Sequence, residues 1–382
     1  MLKPHLPALT WLCLCSLAVS QENNPSEPVE VTGRSSSADS LTERVRQQVT
    51  DAMDNGLGPG VVVAVIRDGN IACRVAQGVR RADEPNNPLT TDDKVHLGSC
   101  TKAMTGTLIG MLVDDGTLKF SDTVGQRLPQ VKARIHADWH NVTLLELLQH
   151  RSGLPGAGPF YTDGGQPKHE TRVKIVMQIL QKPRPEDHQR GTYGYSNLGY
   201  LLAAVMAEQA TEKSWEDLIK QRVFQPLNMT SAGFGPPDRS TPAAHAWGHR
   251  QFGEKLIPIA MDNPLSMAPA GCVHCTISDW CRFIKLHLNE DTPKLLSKDT
   301  LQQLHTPAAD GQTPYACGWI VKEIAGQRVI WHNGSNTMWY AAVNAAPETD
   351  TAVLVVCNGP IENQQRVEAL NEAIFASLFA AP

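Results

Sequence analysis

The chain has 382 residues, of which 41% are hydrophobic and 19% charged, with a formal net charge of −5 and a pI near 6.2. This is the composition of a globular protein, with length for one large domain or two smaller ones. It excludes the basic stripe of a nucleic-acid binder, and no nucleic-acid partner is expected.

Residues 1–20 read as a secretory signal segment. Lys3 supplies a positive start, Leu6 to Leu17 run nearly apolar, and Ala18-Val19-Ser20 puts small residues before Gln21. The run is too short to span a bilayer, so the mature chain is expected to be secreted or periplasmic, without a transmembrane segment. Residues 21–39 are polar, with Pro25, Pro28 and Ser35-Ser36-Ser37, and read as a flexible leader. Residues 40–382 read as one domain.

Leu41, Val45, Val49 and Met53 share one face of a helix that Gly56 to Gly60 ends. Val61 to Ile66 is a continuous apolar, β-branched run, as in a buried strand. Asp68-Gly69 then signals a hairpin, with Ile71 to Val75 returning. The middle of the chain is mainly helical. Thr143 and Glu146 form a capping box before Leu144, Leu145, Leu147 and Leu148. Leu198 to Gln209 and Trp215 to Val223 read as further helices. Strands return at 318–323, 329–332, 339–344 and 352–357. A last helix carries Val367, Leu370, Ile374, Leu378 and Phe379 on one stripe. The order implies an α/β (α+β) fold. One antiparallel sheet is built from both chain ends (about 40–98 and 310–382), flanked by helices, with a helical region inserted at about 103–255.

Of the nine cysteines, Cys13 and Cys15 lie in the signal segment. The others, Cys73, Cys100, Cys272, Cys275, Cys281, Cys317 and Cys357, are odd in number and irregularly spaced, unlike a disulfide framework. Cys272 and Cys275 lack the second pair a zinc site needs, and a local disulfide between them stays open. His136 with His140, and His245 with His249, are four residues apart, but no Glu follows the first His of either pair; they read as structural or solvated. No metal and no cofactor are expected.

Ser99-Cys100-Thr101-Lys102 precedes a helical stretch. If Ser99 opens that helix, Lys102 lies about one turn on and its amine can reach the serine hydroxyl. The Ser99 N–H then has no intrahelical partner, and the helix's positive end favours negative charge on a reacting group. A serine hydroxyl becomes a nucleophile when a base takes its proton, and a lysine with suppressed charge can do so. Alone, this pattern reads as a capping serine followed by a surface lysine. Tyr195-Ser196-Asn197 adds a phenol that a nearby lysine cation would acidify, and an amide that can hold both the lysine and a substrate carbonyl. Asn197 could also cap the next helix. His332-Asn333-Gly334-Ser335 closes an apolar run. Gly334 lets a substrate approach the backbone, and the N–H of Ser335 could pair with that of Ser99 as an oxyanion hole.

Together and in this order, the three elements resemble the motifs of the penicillin-recognising serine hydrolases, nearest the class C β-lactamases, D-Ala-D-Ala carboxypeptidases and related esterases. Residues 147–155, Phe224 to Met229, and Ala268-Pro269-Ala270-Gly271 before Asp279 to Phe283 share the resemblance, which spans roughly 40–380. It implies a β-lactamase-like fold and a hydrolase in which Ser99, Lys102 and Tyr195 are catalytic. Asn197, His332, Gly334 and Ser335 would bind the substrate or its oxyanion. The substrate would be a small molecule or peptide with a carbonyl to be acylated, and whether Lys102 or Tyr195 is the base stays open. The class C enzymes usually carry Lys-Thr-Gly as the third motif, and His332 stands in the lysine position. A histidine only partly cationic near neutral pH would hold a substrate carboxylate less firmly. The class A pattern does not fit: no Ser-Asp-Asn occurs, and Glu368-Ala369-Leu370-Asn371 falls after the third motif. Two rival readings are a sensor that acylates without turnover and a scaffold with a decayed site. The loops around 153–170 and 234–262 are expected to line the cleft.

Overall fold

The strand β1 (Gly60–Arg67) organises the molecule. In this computed structural model, which describes residues 37–156, 158, 169–237, 245–288, 294–309, 311 and 313–380, Val61 to Ile66 are all fully buried. Alternate residues enter two different cores. Val62, Ala64 and Ile66 face one, and Val61, Val63 and Val65 the other. A strand covered on both faces reads as an unbroken apolar run. Burial of each valine or isoleucine contributes roughly 1.5–3 kcal/mol.

The helix α1 (Ser37–Asp54) precedes β1, and β2 (Asn70–Gly78) pairs back on it. The turn Asp68-Gly69 has both φ angles positive, 48° and 66°, as a two-residue primed turn requires. Then come β3 (Lys94–His96), α2 (Thr101–Asp114), α3 (Val124–Arg127), α4 (Ala137–His140), α5 (Leu144–Leu148), α6 (His169–Leu180), α7 (Asn197–Thr211) and α8 (Trp215–Ile219). Thr143 accepts from the Glu146 N–H while Glu146 accepts from the Thr143 N–H, so the capping box forms. The chain continues through β4 (Gly233–Phe234), β5 (Gly248–Phe252), β6 (Lys255–Ile259), α9 (Ala268–Gly271), β7 (Val273–Thr276), α10 (Ile277–His287) and α11 (Lys298–Leu304). It ends with β8 (Ile320–Ile324), β9 (Gln327–Ser335), β10 (Tyr340–Ala346), β11 (Thr351–Cys357) and α12 (Gln364–Ser377).

The main sheet has the order β2-β1-β11-β10-β9-β8 and is antiparallel throughout, so both chain ends do build it. α1 and α12 cover one face through Leu41, Val45, Val49, Val367, Leu370 and Ile374. The helical region packs on the other. β5 and β6 form a separate hairpin inside the stretch expected to be helical up to about 255, and β3-β7-β4 make a second small sheet. α1 starts at Ser37, within the expected leader. The expected signal segment lies outside the described residues, as do 157, 159–168 and 238–244 of the expected cleft loops.

Each of the seven cysteines from Cys73 onward is buried and free, Cys272 and Cys275 included. Three of the four spaced histidines have structural partners: His136 caps α4, His140 faces the carbonyl oxygens of Lys132 and Ile135 at 3.2 Å, and His249 lies between the Asn358 carbonyl and the Ala82 N–H. Among the described residues no helix is long and apolar enough to cross a membrane.

Candidate active site

β3 delivers the chain to the site. Its residues pair with β7, and the Leu97 N–H extends the pairing to the Val273 carbonyl. Gly98 then turns the chain with φ +50° into a 3-10 turn, Gly98–Cys100, that runs into α2. Ser99 sits in this turn rather than in α2 itself. α2 is buried from Thr101 through Leu112, so a lysine in its first turn is buried with it. Lys102 is 0% exposed. Its Nζ lies 3.2 Å from Ser99 Oγ, 2.7 Å from Asn197 Oδ1 and 2.8 Å from the Ala270 carbonyl oxygen. Desolvation brings its pKa down to about 7, against smaller opposing effects from the Cys100 and Cys272 thiols.

The segment carrying Tyr195 and Asn197 is held by His150, which lies in the 147–155 stretch that shares the resemblance but was given no role from the sequence. The His150 carbonyl accepts from the Gly194 N–H, and His150 Nδ1 accepts from the Ser196 N–H at 3.1 Å. Ser196, not Asn197, caps α7, which frees the Asn197 amide for Lys102. The Tyr195 ring lies 4.7 Å from Lys102 Nζ and 4.4 Å from the His150 ring. Tyr195 is 37% exposed, yet its phenol is buried deeply enough to raise the pKa; a hydrogen bond with Ser99 lowers it by less. The acidification expected from the lysine is absent because Lys102 is itself brought close to neutrality.

β9 supplies the third segment. A Cβ on Gly334 would fall 2.1 Å from the Leu97 carbonyl oxygen and 2.6 Å from Ser99 N; one on Gly98 would fall 2.2 Å from Ser335 N. Only two glycines allow the strand end to lie against the serine turn this closely. His332 is 2% exposed. Its Nδ1 donates to the Asn333 carbonyl, so its Nε2 accepts from the Tyr315 hydroxyl at 2.8 Å. Burial, and secondarily Lys102, push its pKa down to about 3. The imidazole is therefore neutral at pH 7, not partly cationic as the residue type alone suggested.

The residues named from sequence thus converge on one place. At the end of the expected 234–262 loop, Asp262 bonds His96 and Asn336, which flank the Ser99 turn and Ser335. A groove of ≈ 600 Å³ beside α6, lined by Arg134, His169, Val173, Lys174 and Met177 among others, includes none of them. Among the described residues no group of three or more His, Cys, Asp or Glu is placed to hold a metal ion.

A family model of β-lactamases matches residues 45–376. The chain belongs to the β-lactamase family. As a β-lactamase family member it is 26% identical over 340 residues to the unguisins hydrolase of Aspergillus campestris, covering 84% of this chain and 62% of that protein. Among solved structures it is similar to a penicillin-binding protein homologue from Pyrococcus abyssi (TM-score 0.70, 22% identity, 88% of this chain and 77% of that one). It is also similar to a D-amino acid amidase from Ochrobactrum anthropi (TM-score 0.72, 22% identity, 89% and 99%). At these identities the structural likeness speaks for the fold.

Proposed function

We propose that this β-lactamase family member is an exported serine hydrolase that works through an acyl-Ser99 intermediate on esters or amides. The supporting observation is a buried amine with a pKa of about 7 lying 3.2 Å from a serine hydroxyl. At neutral pH a large fraction of Lys102 is uncharged and can take the Ser99 proton. Tyr195, whose pKa is raised, stays a phenol. It is the proton carrier to the leaving group, not the first base.

Ser99 Oγ attacks the substrate carbonyl carbon as its proton passes to Lys102. The N–H groups of Ser99 and Ser335 stabilise the oxyanion. Collapse of the tetrahedral species expels an alcohol or amine, which receives a proton through Tyr195 and Lys102. Water then attacks the acyl-Ser99 ester, releases the carboxylic acid and restores the serine. Asn197 holds Lys102 in place through its 2.7 Å bond.

The neutral His332 offers no positive charge to a substrate carboxylate. This favours esters and amides without a carboxylate at that position over β-lactams. The names of the Aspergillus hydrolase and the D-amino acid amidase agree with this chemistry. The test is mass spectrometry of the mature protein after exposure to a short-chain p-nitrophenyl ester and, separately, to a penicillin. A transient acyl adduct on Ser99 with the ester, lost in Ser99→Ala, is expected. A persistent adduct with a burst and no steady turnover would favour the sensor reading, and no adduct on Ser99 would refute both.

A further inference from the structure

Beneath the cluster runs a second set of polar contacts that the mechanism above does not use. The Gly98 N–H donates to His96 Nδ1 at 3.1 Å. His96 therefore carries its proton on Nε2, which donates to the Asp262 carboxylate at 2.9 Å. The same carboxylate accepts from Asn336 Nδ2 at 3.0 Å and from the Asn263 N–H at 2.7 Å. The Asn336 amide oxygen in turn accepts from the N–H groups of Met338 and Trp339. His96 and Asn336 are buried, and the side chain of Asp262 is 3% exposed. One carboxylate thus ties together the turn that carries Ser99 and the strand end that carries Ser335.

We propose that Asp262, acting through His96 and Asn336, is a positioning residue that fixes the spacing of the two oxyanion-hole N–H groups. This rests on the acyl-Ser99 reading. An oxyanion hole is effective only when its donors are already aimed at the place where charge develops. The Ser99 and Ser335 N–H groups belong to separate elements far apart in sequence. Asp262 grips both, one through Gly98 beside Ser99 and one through Asn336 beside Ser335. The carboxylate also fixes the imidazole tautomer. His96 can accept from Gly98 only while its proton is on Nε2, and an acceptor opposite Nε2 keeps it there.

Asp262→Asn is the informative change because it keeps the shape and breaks the pattern. If the new amide points its NH₂ at His96, the imidazole proton must move to Nδ1, where it faces the Gly98 N–H. If the NH₂ points the other way, it faces the donors of Asn336 and Asn263. Either way one of the two grips is lost. Removal of an oxyanion donor outright costs roughly 10²–10³ in rate, and displacement should cost less. The acylation rate with a p-nitrophenyl ester is expected to fall roughly 10–100-fold, with KM within about threefold of wild type. Affinity for phenylboronic acid, whose adduct with Ser99 is tetrahedral, should fall by the same factor as the rate. His96→Asn keeps an acceptor near the Gly98 N–H but is too short to reach Asp262, so it should show the same split. The double variant should be no slower than the slower single one.

Unchanged acylation and boronate affinity in Asp262→Asn would overturn the proposal. So would a loss carried by KM and thermal stability alone, or single effects that multiply in the double variant. A wild type that never becomes modified at Ser99 would overturn the underlying hydrolase reading and this inference with it. A wild type modified at the same rate as Asp262→Asn would overturn the inference alone.

Discussion

The pH dependence of acylation follows from the buried amine and can be worked through in numbers. With a Lys102 pKa of about 7, the neutral amine is roughly 10% of the total at pH 6 and roughly 90% at pH 8. If Lys102 takes the Ser99 proton, the second-order rate of acylation should rise roughly tenfold between these two values and level off above pH 8. The assay is the pre-steady-state release of p-nitrophenol at subsaturating ester, which reports the free enzyme. Lys102→Ala should lower the plateau by roughly 10²–10⁴-fold and remove the inflection. Tyr195→Phe should lower the plateau but keep the inflection near 7, because its raised pKa places the phenol's own titration well above this window. A wild-type profile flat from pH 6 to 8, or an inflection near 7 that survives in Lys102→Ala, would refute the assignment of Lys102 as base.

Acid should weaken the fold through its buried histidines. His274, with a pKa of about 4, and His305 and His332, at about 3, are held below 6.5 chiefly by desolvation. Each contributes no pH dependence above 6.5. As pH falls below 6.5 the unfolded chain binds the proton first, so stability drops until the folded pKa is reached. At pH 5 the loss is about 2 kcal/mol per histidine, read as a lower urea midpoint than at pH 7.5. An unchanged midpoint would contradict the burial. Gly334→Ala should abolish acylation, since its Cβ meets backbone at 2.1 Å and 2.6 Å, and should destabilise by about 1–3 kcal/mol in the same urea assay. Arg172→Met leaves the carboxylates of Glu208 and Glu216, which Arg172 pairs in the core, without their cation. A loss of about 3–5 kcal/mol is expected, and a loss under 1 kcal/mol would show the network to be solvated.

Elements defined by composition and turn chemistry were readable from the sequence. β1 announced itself by its unbroken apolar run, the first hairpin by Asp68-Gly69, and α5 by Thr143 and Glu146. The β5–β6 hairpin was not, because Arg250-Gln251-Phe252-Gly253-Glu254-Lys255 is polar and its exposed strands lack the alternation of a half-buried sheet; the lone cue was Gly253, which has φ +60°. At the site, residue types and order were legible and protonation was not. A lysine, a tyrosine and a histidine have ordinary pKa values in a string of letters. Their shifted pKa values here come from burial that many distant segments create together. Asp262 carries no motif, and its bond to His96 spans 166 residues. The support given by Gly98 and His150 is equally a matter of what packs against them.

The low charge of the site has one cause. Burial acts first on Lys102, and the other groups that shift it are the Cys100 and Cys272 thiols; among the described residues no carboxylate shifts it. A carboxylate partner would restore the charge and remove the base. The shift from 10.5 to about 7 means that the fold is weaker by about 5 kcal/mol at neutral pH than it would be with an amine of ordinary pKa. That weakening sets in as pH falls from 10.5 and is complete below about 7. A second amine at position 332 would place a like charge near Lys102, and the two would compete to carry a single proton. A neutral His332, bonded to Tyr315 and Asn333, fills the position without that competition. The lowered pKa of Lys102, on which the proposed reactivity at Ser99 rests, and the neutrality of His332 therefore follow first from one property, the burial of both side chains.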